Sequence, residues 1–185
     1  SVSALAQTTD ATVWIGGRAG LSRFDGFRFV TYPTASDDPL PTDAVTVLVP
    51  TSDGGLWIGY LRGGATFLKN GRAINYGERE GFPPTTTLNF GVDLNGSVWA
   101  ATATGLARLR GARWEIDTRS DAFRASVRDF FIDREGTQWV ASSTALFARS
   151  RSDAAFEEIV RTPFVHRVKR LIAQAPTGEI WAASS

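Results

Sequence analysis

The sequence predicts an all-β chain made of a repeated four-strand unit, and three observations carry that prediction. Five of its six tryptophans, Trp14, Trp57, Trp99, Trp139 and Trp181, stand 43, 42, 40 and 42 residues apart. Each follows a short polar turn, in the words DATVW, DGGLW, NGSVW, EGTQW and TGEIW. Nine residues before each lies a large apolar residue (Leu5, Leu48, Phe90, Phe130, Ile172), and two residues after it a very small one (Gly16, Gly59, Ala101, Ala141, Ala183). A period of this length decides the architecture before any single segment does.

The first strand of each unit is an apolar or alternating run: VSALAQ (2–7), VTVLVP (45–50), TLNFGVD (87–93), VRDFFID (127–133) and VKRLIAQ (168–174). The tryptophan opens the second strand. Because strand side chains alternate between faces, the small residue shares the indole's face and makes room for a neighbouring sheet's indole beside the backbone. Third strands follow at GLSRF (20–24), GATFL (64–68), GLARL (105–109) and ALFAR (145–149). They close through Asp25-Gly26, Asn70-Gly71 and Arg110-Gly111, the first two being strong hairpin signals. Fourth strands are FRFVTY (27–32), RAINYG (72–77), ARWEID (112–117) and AFEEIV (155–160), which places Trp114 at the unit position of Phe29 and Ile74, as an outer-strand packing residue.

Four antiparallel strands in about 40–45 residues, repeated, make a β-propeller blade; a parallel β-helix would need a much shorter period. The expected blades are 2–32, 44–77, 86–117, 126–160 and an incomplete 167–185: one partial β-propeller domain of about four and a half blades. The hydrophobic share of 43% fills such a core and excludes disorder. Lysine and arginine number 20 against 19 acidic residues, so no global field favours nucleic acid or an anionic membrane. Cysteine is absent, which removes disulfides, thiolate metal sites and a cysteine nucleophile. No run approaches the ~18 apolar residues that insertion in a bilayer requires. The opening SVSALAQTTD lacks the pattern of a signal peptide, and with no methionine even at position 1 the chain is expected to be an excised piece of a longer protein.

The stretches VTVLVPTSDGGLWIGYLRGGATFLKNG and VSALAQTTDATVWIGGRAGLSRFDGFRFVTY resemble the two-component regulator propeller repeat, with its apolar strand, Asp-Gly turn, W-I-G and G-L-x-x-[FY]-x-G. PLPTDAV (39–45) and GFPPTTT (81–87) are similar to its G-L-P lead-in. Two departures stand out: Ala11 replaces the turn glycine of the first blade, and SSTALFARS in the fourth lacks its glycine. The resemblance implies an extracytoplasmic (periplasmic) sensor domain of a bacterial histidine kinase or diguanylate cyclase protein, normally seven-bladed, with output domains elsewhere in the parent chain. It implies no catalysis by this segment and no cofactor. An arc of this size exposes two blade faces, so the expected partners are the remaining blades and output domains of the parent chain, or another copy of the same chain.

Blade topology puts the inter-blade connections on the same side as the loops between second and third strands. That side holds Arg18, Tyr60 and Arg62, with Arg119, Arg124 and Arg167 in the connections. Guanidinium groups converging there would take a carboxylate or sulfate in bidentate fashion, pointing to an anionic glycan or carboxylated metabolite; otherwise these are solvated surface charges. His166 is the only histidine, too few for a histidine-rich metal site, and reads as structural or surface. Asp53-Gly54 and Asn95-Gly96 are turns, because no D-x-D-x-D-G series follows them. Two other classes stay open: a propeller lyase or lactonase, for which Asp93, Asp129 and Asp133 are the nearest carboxylates, and a protein-interaction scaffold.

Overall fold

The computed structural model describes residues 1–33, 37–41, 43–123, 126–162 and 171–183. The chain divides into two compact units, Ser1–Thr87 and Leu88–Ser185. The first holds two blades: β1 (Val2–Gln7), β2 (Val13–Gly17), β3 (Gly20–Phe24) and β4 (Phe29–Tyr32), then β5 (Val45–Pro50), β6 (Leu56–Tyr60), β7 (Ala65–Lys69) and β8 (Arg72–Tyr76). A further blade is formed by β9 (Thr87–Val92), β10 (Val98–Thr102), β11 (Gly105–Arg110) and β12 (Arg113–Ile116). The next comprises β13 (Val127–Ile132), β14 (Gln138–Ser142), β15 (Ala145–Arg149) and β16 (Glu157–Arg161), and β17 (Ile172–Gln174) and β18 (Ile180–Ala182) follow. Strands are neighbours in sequence order within every sheet. The register shifts after the first residue of β1, β5 and β13 alike, so the first strand carries a recurrent bulge.

Alternation gives each sheet two apolar faces, and burial comes from stacking one blade on the next. In the first unit Trp14, Leu21 and Tyr32 gather with Val45, Leu48, Leu56, Ile58 and Leu68 of the second blade in one buried cluster. In the second unit Trp99, Ala101 and Leu106 meet Val127, Phe130 and Val140, while Ala141 and Leu146, with Trp139 beside them, meet Leu171 and Ile172. The small residue after each tryptophan is demanded by this contact. A Cβ on Gly16 would fall 2.4 Å from Val45 Cγ1, and one on Gly59 2.6 Å from Thr87 Cγ2. The group pressed against that position is therefore a β-branched side chain at the start of the next blade, not an indole as the sequence reading expected.

Two further expectations are corrected. Trp114 pairs with Leu109, as Phe29 pairs with Phe24 and Ala73 with Leu68, so its counterpart in the second blade is Ala73. Ile74 lies one residue on, hence on the opposite face, and is exposed. Trp114 is buried, its ring 6.4 Å from that of Phe90. Trp181, unlike Trp14, Trp57 and Trp99, is 67% exposed, since β17 and β18 have no third strand and no further sheet against them among the described residues.

Polar side chains complete the frame. Asp93 accepts hydrogen bonds from the amides of Asn95 and Ser97 and, at 2.9 Å, from the Trp99 indole. Asp133 does the same for Thr137 and Trp139. In the first blade two residues share this role. Thr8 accepts from the Trp14 indole and donates to Asp10, which accepts from the Thr12 amide. Ala11, at the tip of that turn, takes φ 66°, the left-handed conformation that Gly54, Gly96, Gly136 and Gly178 take in the other turns. Between blades of the second unit, Asn89 donates to the Phe130 carbonyl, and Asp129 accepts from the amides of Leu171 and Ile172.

Candidate ligand cleft

In the first unit the loop after β2, the loop after β6 and the connection between β4 and β5 meet at one end of the paired blades and enclose a cleft of about 560 Å³. Leu21, Tyr32, Leu40, Val45 and Tyr60 supply apolar wall, while Arg18, Arg62 and Asp43 supply charge. The loop carrying Arg62 is held on both sides. The Leu61 amide donates to the Ala44 carbonyl, the Arg62 amide donates to Asp43 Oδ2 at 2.9 Å, and Thr86 donates to the Leu61 carbonyl. Gly63, at φ 97°, lies so close to the chain at Pro83–Thr85 that a Cβ there would fall 2.7 Å from backbone atoms. A fixed backbone thus presents an exposed head group: the Arg62 side chain is 83% exposed and is ion-paired through its Nε, 3.5 Å from Asp43 Oδ1.

Asp43 is set electrostatically by its surroundings. Burial pushes its pKa up, but the amides of Arg62 and Ala44 and the Arg62 guanidinium outweigh burial and hold it below the usual 3.8. It is a carboxylate at neutral pH and offsets one of the two arginines. Arg18 is exposed and makes no ion pair among the described residues. Tyr60 is buried, its hydroxyl 2.8 Å from Thr66 Oγ1; Thr66 in turn donates to Asn75, and Asn75 donates to the Pro39 carbonyl. Burial raises both Tyr60 and Tyr32 to about 12, with Asp37 adding to the shift of Tyr32, so both phenols are neutral.

Of the residues singled out from sequence, Arg18, Tyr60 and Arg62 line this one cleft. Tyr60 enters it as wall, its hydroxyl being engaged with Thr66. Arg119 belongs to the second unit, where both its amide and its guanidinium turn to Asp117. Arg124, Arg167 and His166 lie outside the described residues. Asp43, which anchors the Arg62 loop, and Tyr32 went unnoticed in the sequence; Asp43 sits within the G-L-P-like lead-in, its only signal there.

The carboxylates weighed for catalysis have structural work. Asp93 and Asp133 hold turns and indoles, and Asp129 ties β13 to β17. Asp53 is engaged by Thr51 in its own hairpin and by Lys69 at the end of β7. No three His, Asp or Glu side chains come together as a metal site among the described residues. A second charged group lies deep in the second unit. The Arg149 side chain is fully buried, 2.7 Å from Asp117 Oδ2, and donates to Gln138 Oε1. Its guanidinium lies 4.9 Å from the Trp99 ring and 4.2 Å from that of Phe156. Burial draws its pKa below the usual guanidinium value, and Asp117 opposes that shift. The cluster has no opening to solvent at Arg149 and serves as a strut between blades.

Several solved structures share this fold. The extracellular domain of the hybrid two-component system BT3049 from B. thetaiotaomicron superimposes with a TM-score of 0.77 at 22% identity, over 100% of this chain and 26% of its own. Virginiamycin B lyase from Staphylococcus aureus gives 0.73 at 14% identity, over 99% of this chain and 63% of its own. The fold is a β-propeller's. A second B. thetaiotaomicron two-component extracellular domain, BT4673, gives 0.59 at 15% identity, over 99% of this chain and 34% of its own. This propeller therefore spans about a quarter to a third of those extracellular domains and under two thirds of the lyase. The two domains from B. thetaiotaomicron come from the class of protein whose repeat wording the sequence resembles. No protein-family profile and no curated protein matches the chain. Among the described residues no helix is long and apolar enough to cross a membrane.

Proposed function

We propose that this propeller is the non-catalytic, extracytoplasmic ligand-sensing part of a bacterial two-component signalling protein, and that its cleft takes a small acidic ligand such as a uronic-acid glycan or a carboxylated metabolite. The observation that carries this reading is the cleft of the first unit, where Arg18 and Arg62 stand exposed over an apolar wall that includes Tyr32 and Tyr60. Planar guanidinium groups bind carboxylates bidentately. Loops on a rigid frame are where binding concentrates. Support for the sensor role comes from the repeat wording and from the two-component extracellular domains that share the fold.

Calorimetric titration with galacturonate oligomers, set against the matching neutral galactose oligomers, tests it. Acidic oligomers should bind and neutral ones should not. The pair Arg18→Ala and Arg62→Ala together should weaken binding by about tenfold or more, as expected for loss of charge-assisted hydrogen bonds. Equal binding of both oligomers, or an unchanged affinity in the double variant, would sink the proposal.

A second reading, a lyase-like enzyme, is favoured by the likeness to virginiamycin B lyase. Turnover of virginiamycin B by the purified chain, abolished by a substitution in the cleft, would establish it over the sensor reading.

A further inference from the structure

Stacked blades meet in two different chemistries within this chain. In the first unit the junction is aromatic and aliphatic. Tyr32 and Tyr76 lie against the tryptophans of their own blades, Trp14 and Trp57, with ring centroids 5.3 and 5.8 Å apart. The second blade meets the first with Leu56 and Leu68, cross-strand partners that are 1% and 4% exposed. In the second unit the corresponding positions are polar. Gln138 and Arg149 are the cross-strand pair of β14 and β15 that stands where Leu56 and Leu68 stand in β6 and β7. Trp114 pairs with Leu109 as Phe29 pairs with Phe24, which puts Asp117 at the position of Tyr32. All three polar residues are buried. The Arg149 guanidinium reaches the preceding blade, 2.7 Å from Asp117 Oδ2 and 4.9 Å from the Trp99 ring, and so lies against Trp99 as Tyr32 lies against Trp14. The exchanges match across the junction: the blade that carries a carboxylate in place of tyrosine is met by the blade that carries a guanidinium in place of leucine.

Such a set adds little to stability. Taking both charges out of water offsets most of their mutual attraction, and well-packed apolar replacements are often neutral or stabilising. A wrong pairing, by contrast, is heavily penalised. Set on a face of the Tyr32 kind, Arg149 would be buried without its carboxylate; set under Leu56 and Leu68, Asp117 would be buried without its guanidinium. We infer that Gln138, Arg149 and Asp117 form a matching device, which makes the blade of β13–β16 seat on the blade of β9–β12 and on no other blade, whether of this chain or of a second copy. The hazard that it answers comes with repetition: near-copies of one unit can exchange places during folding, and repeat chains misassemble and swap in this way.

Transplanting the first unit's residues tests it, in the triple variant Asp117→Tyr with Gln138→Leu and Arg149→Leu. Its urea midpoint should equal or exceed the parent's, whereas Arg149→Leu alone should fall clearly below both. Fidelity is read from copies carrying two different affinity tags, unfolded together in urea, refolded by dilution over a range of concentrations and captured on one tag. Copies mixed only after folding supply the background. Above that background the triple variant should carry over at least about tenfold more of the second tag than the parent, because a stranded buried charge no longer weighs against the swapped form. A triple variant that unfolds well below the parent, or does not fold, would assign the three residues to stability and overturn the inference. Equal carry-over in parent and triple variant would overturn it as well.

Discussion

Replacing Asp93 removes three hydrogen bonds at once and separates two ways of building the same turn. Its carboxylate accepts from the amides of Asn95 and Ser97 at 3.0 and 2.9 Å and from the buried Trp99 indole at 2.9 Å. Bonds to a carboxylate contribute somewhat over 1 kcal/mol each, and a buried indole N–H left without an acceptor adds its desolvation penalty, so Asp93→Ala should cost about 4 kcal/mol. Asp93→Asn should cost about 2–3 kcal/mol, because one side of an amide is a donor and must face either the indole or the backbone amides. The first blade shows another solution, Thr8 taking the indole and Asp10 the turn. The double replacement Asp93→Thr with Asn95→Asp copies it and should recover most of the loss. Urea unfolding followed by circular dichroism measures all three variants. An Asp93→Asn protein within about 0.5 kcal/mol of the parent, or a double variant no better than Asp93→Ala, would refute the reasoning.

Two other substitutions probe the frame. Ala11→Gly relieves a left-handed alanine and should raise stability by about 0.5–1 kcal/mol, seen as a higher urea midpoint at unchanged slope. Arg149→Met strands the buried Asp117 carboxylate and should cost about 3–5 kcal/mol, whereas adding Asp117→Asn should return a large part of that loss in a double-mutant cycle.

Much of the frame was legible because it repeats. The tryptophan, the small residue two places on and the apolar residue nine places back are consequences of one packing contact, and five occurrences make each intelligible. Trp114 was misaligned with Ile74 where the repeat changes its spacing: the second blade carries one more residue between its second and third strands, so that Trp57 pairs ten places on, with Phe67, whereas Trp14 and Trp99 pair nine places on, with Arg23 and Arg108. A slip of one residue exchanges faces, and sequence alone offers no ruler there. The grouping of Arg18, Tyr60 and Arg62 followed from blade topology, whereas Asp43 emerged only once the chain was folded around it. The duties of Asp93 and Asp133 were local, six residues before an indole, and open to discovery. Those of Asp129, reaching amides 42 and 43 residues away, were not.

Oily contacts alone would let one sheet glide along another by a residue with little change in burial. The bonds from Asn89 to the Phe130 carbonyl, and from the Leu171 and Ile172 amides to Asp129, forbid that motion, since each has a single partner at a single height. In a chain whose units are near-copies of one another, they act as notches: they decide not whether two sheets adhere but at which level, and so keep the loops of successive blades in step.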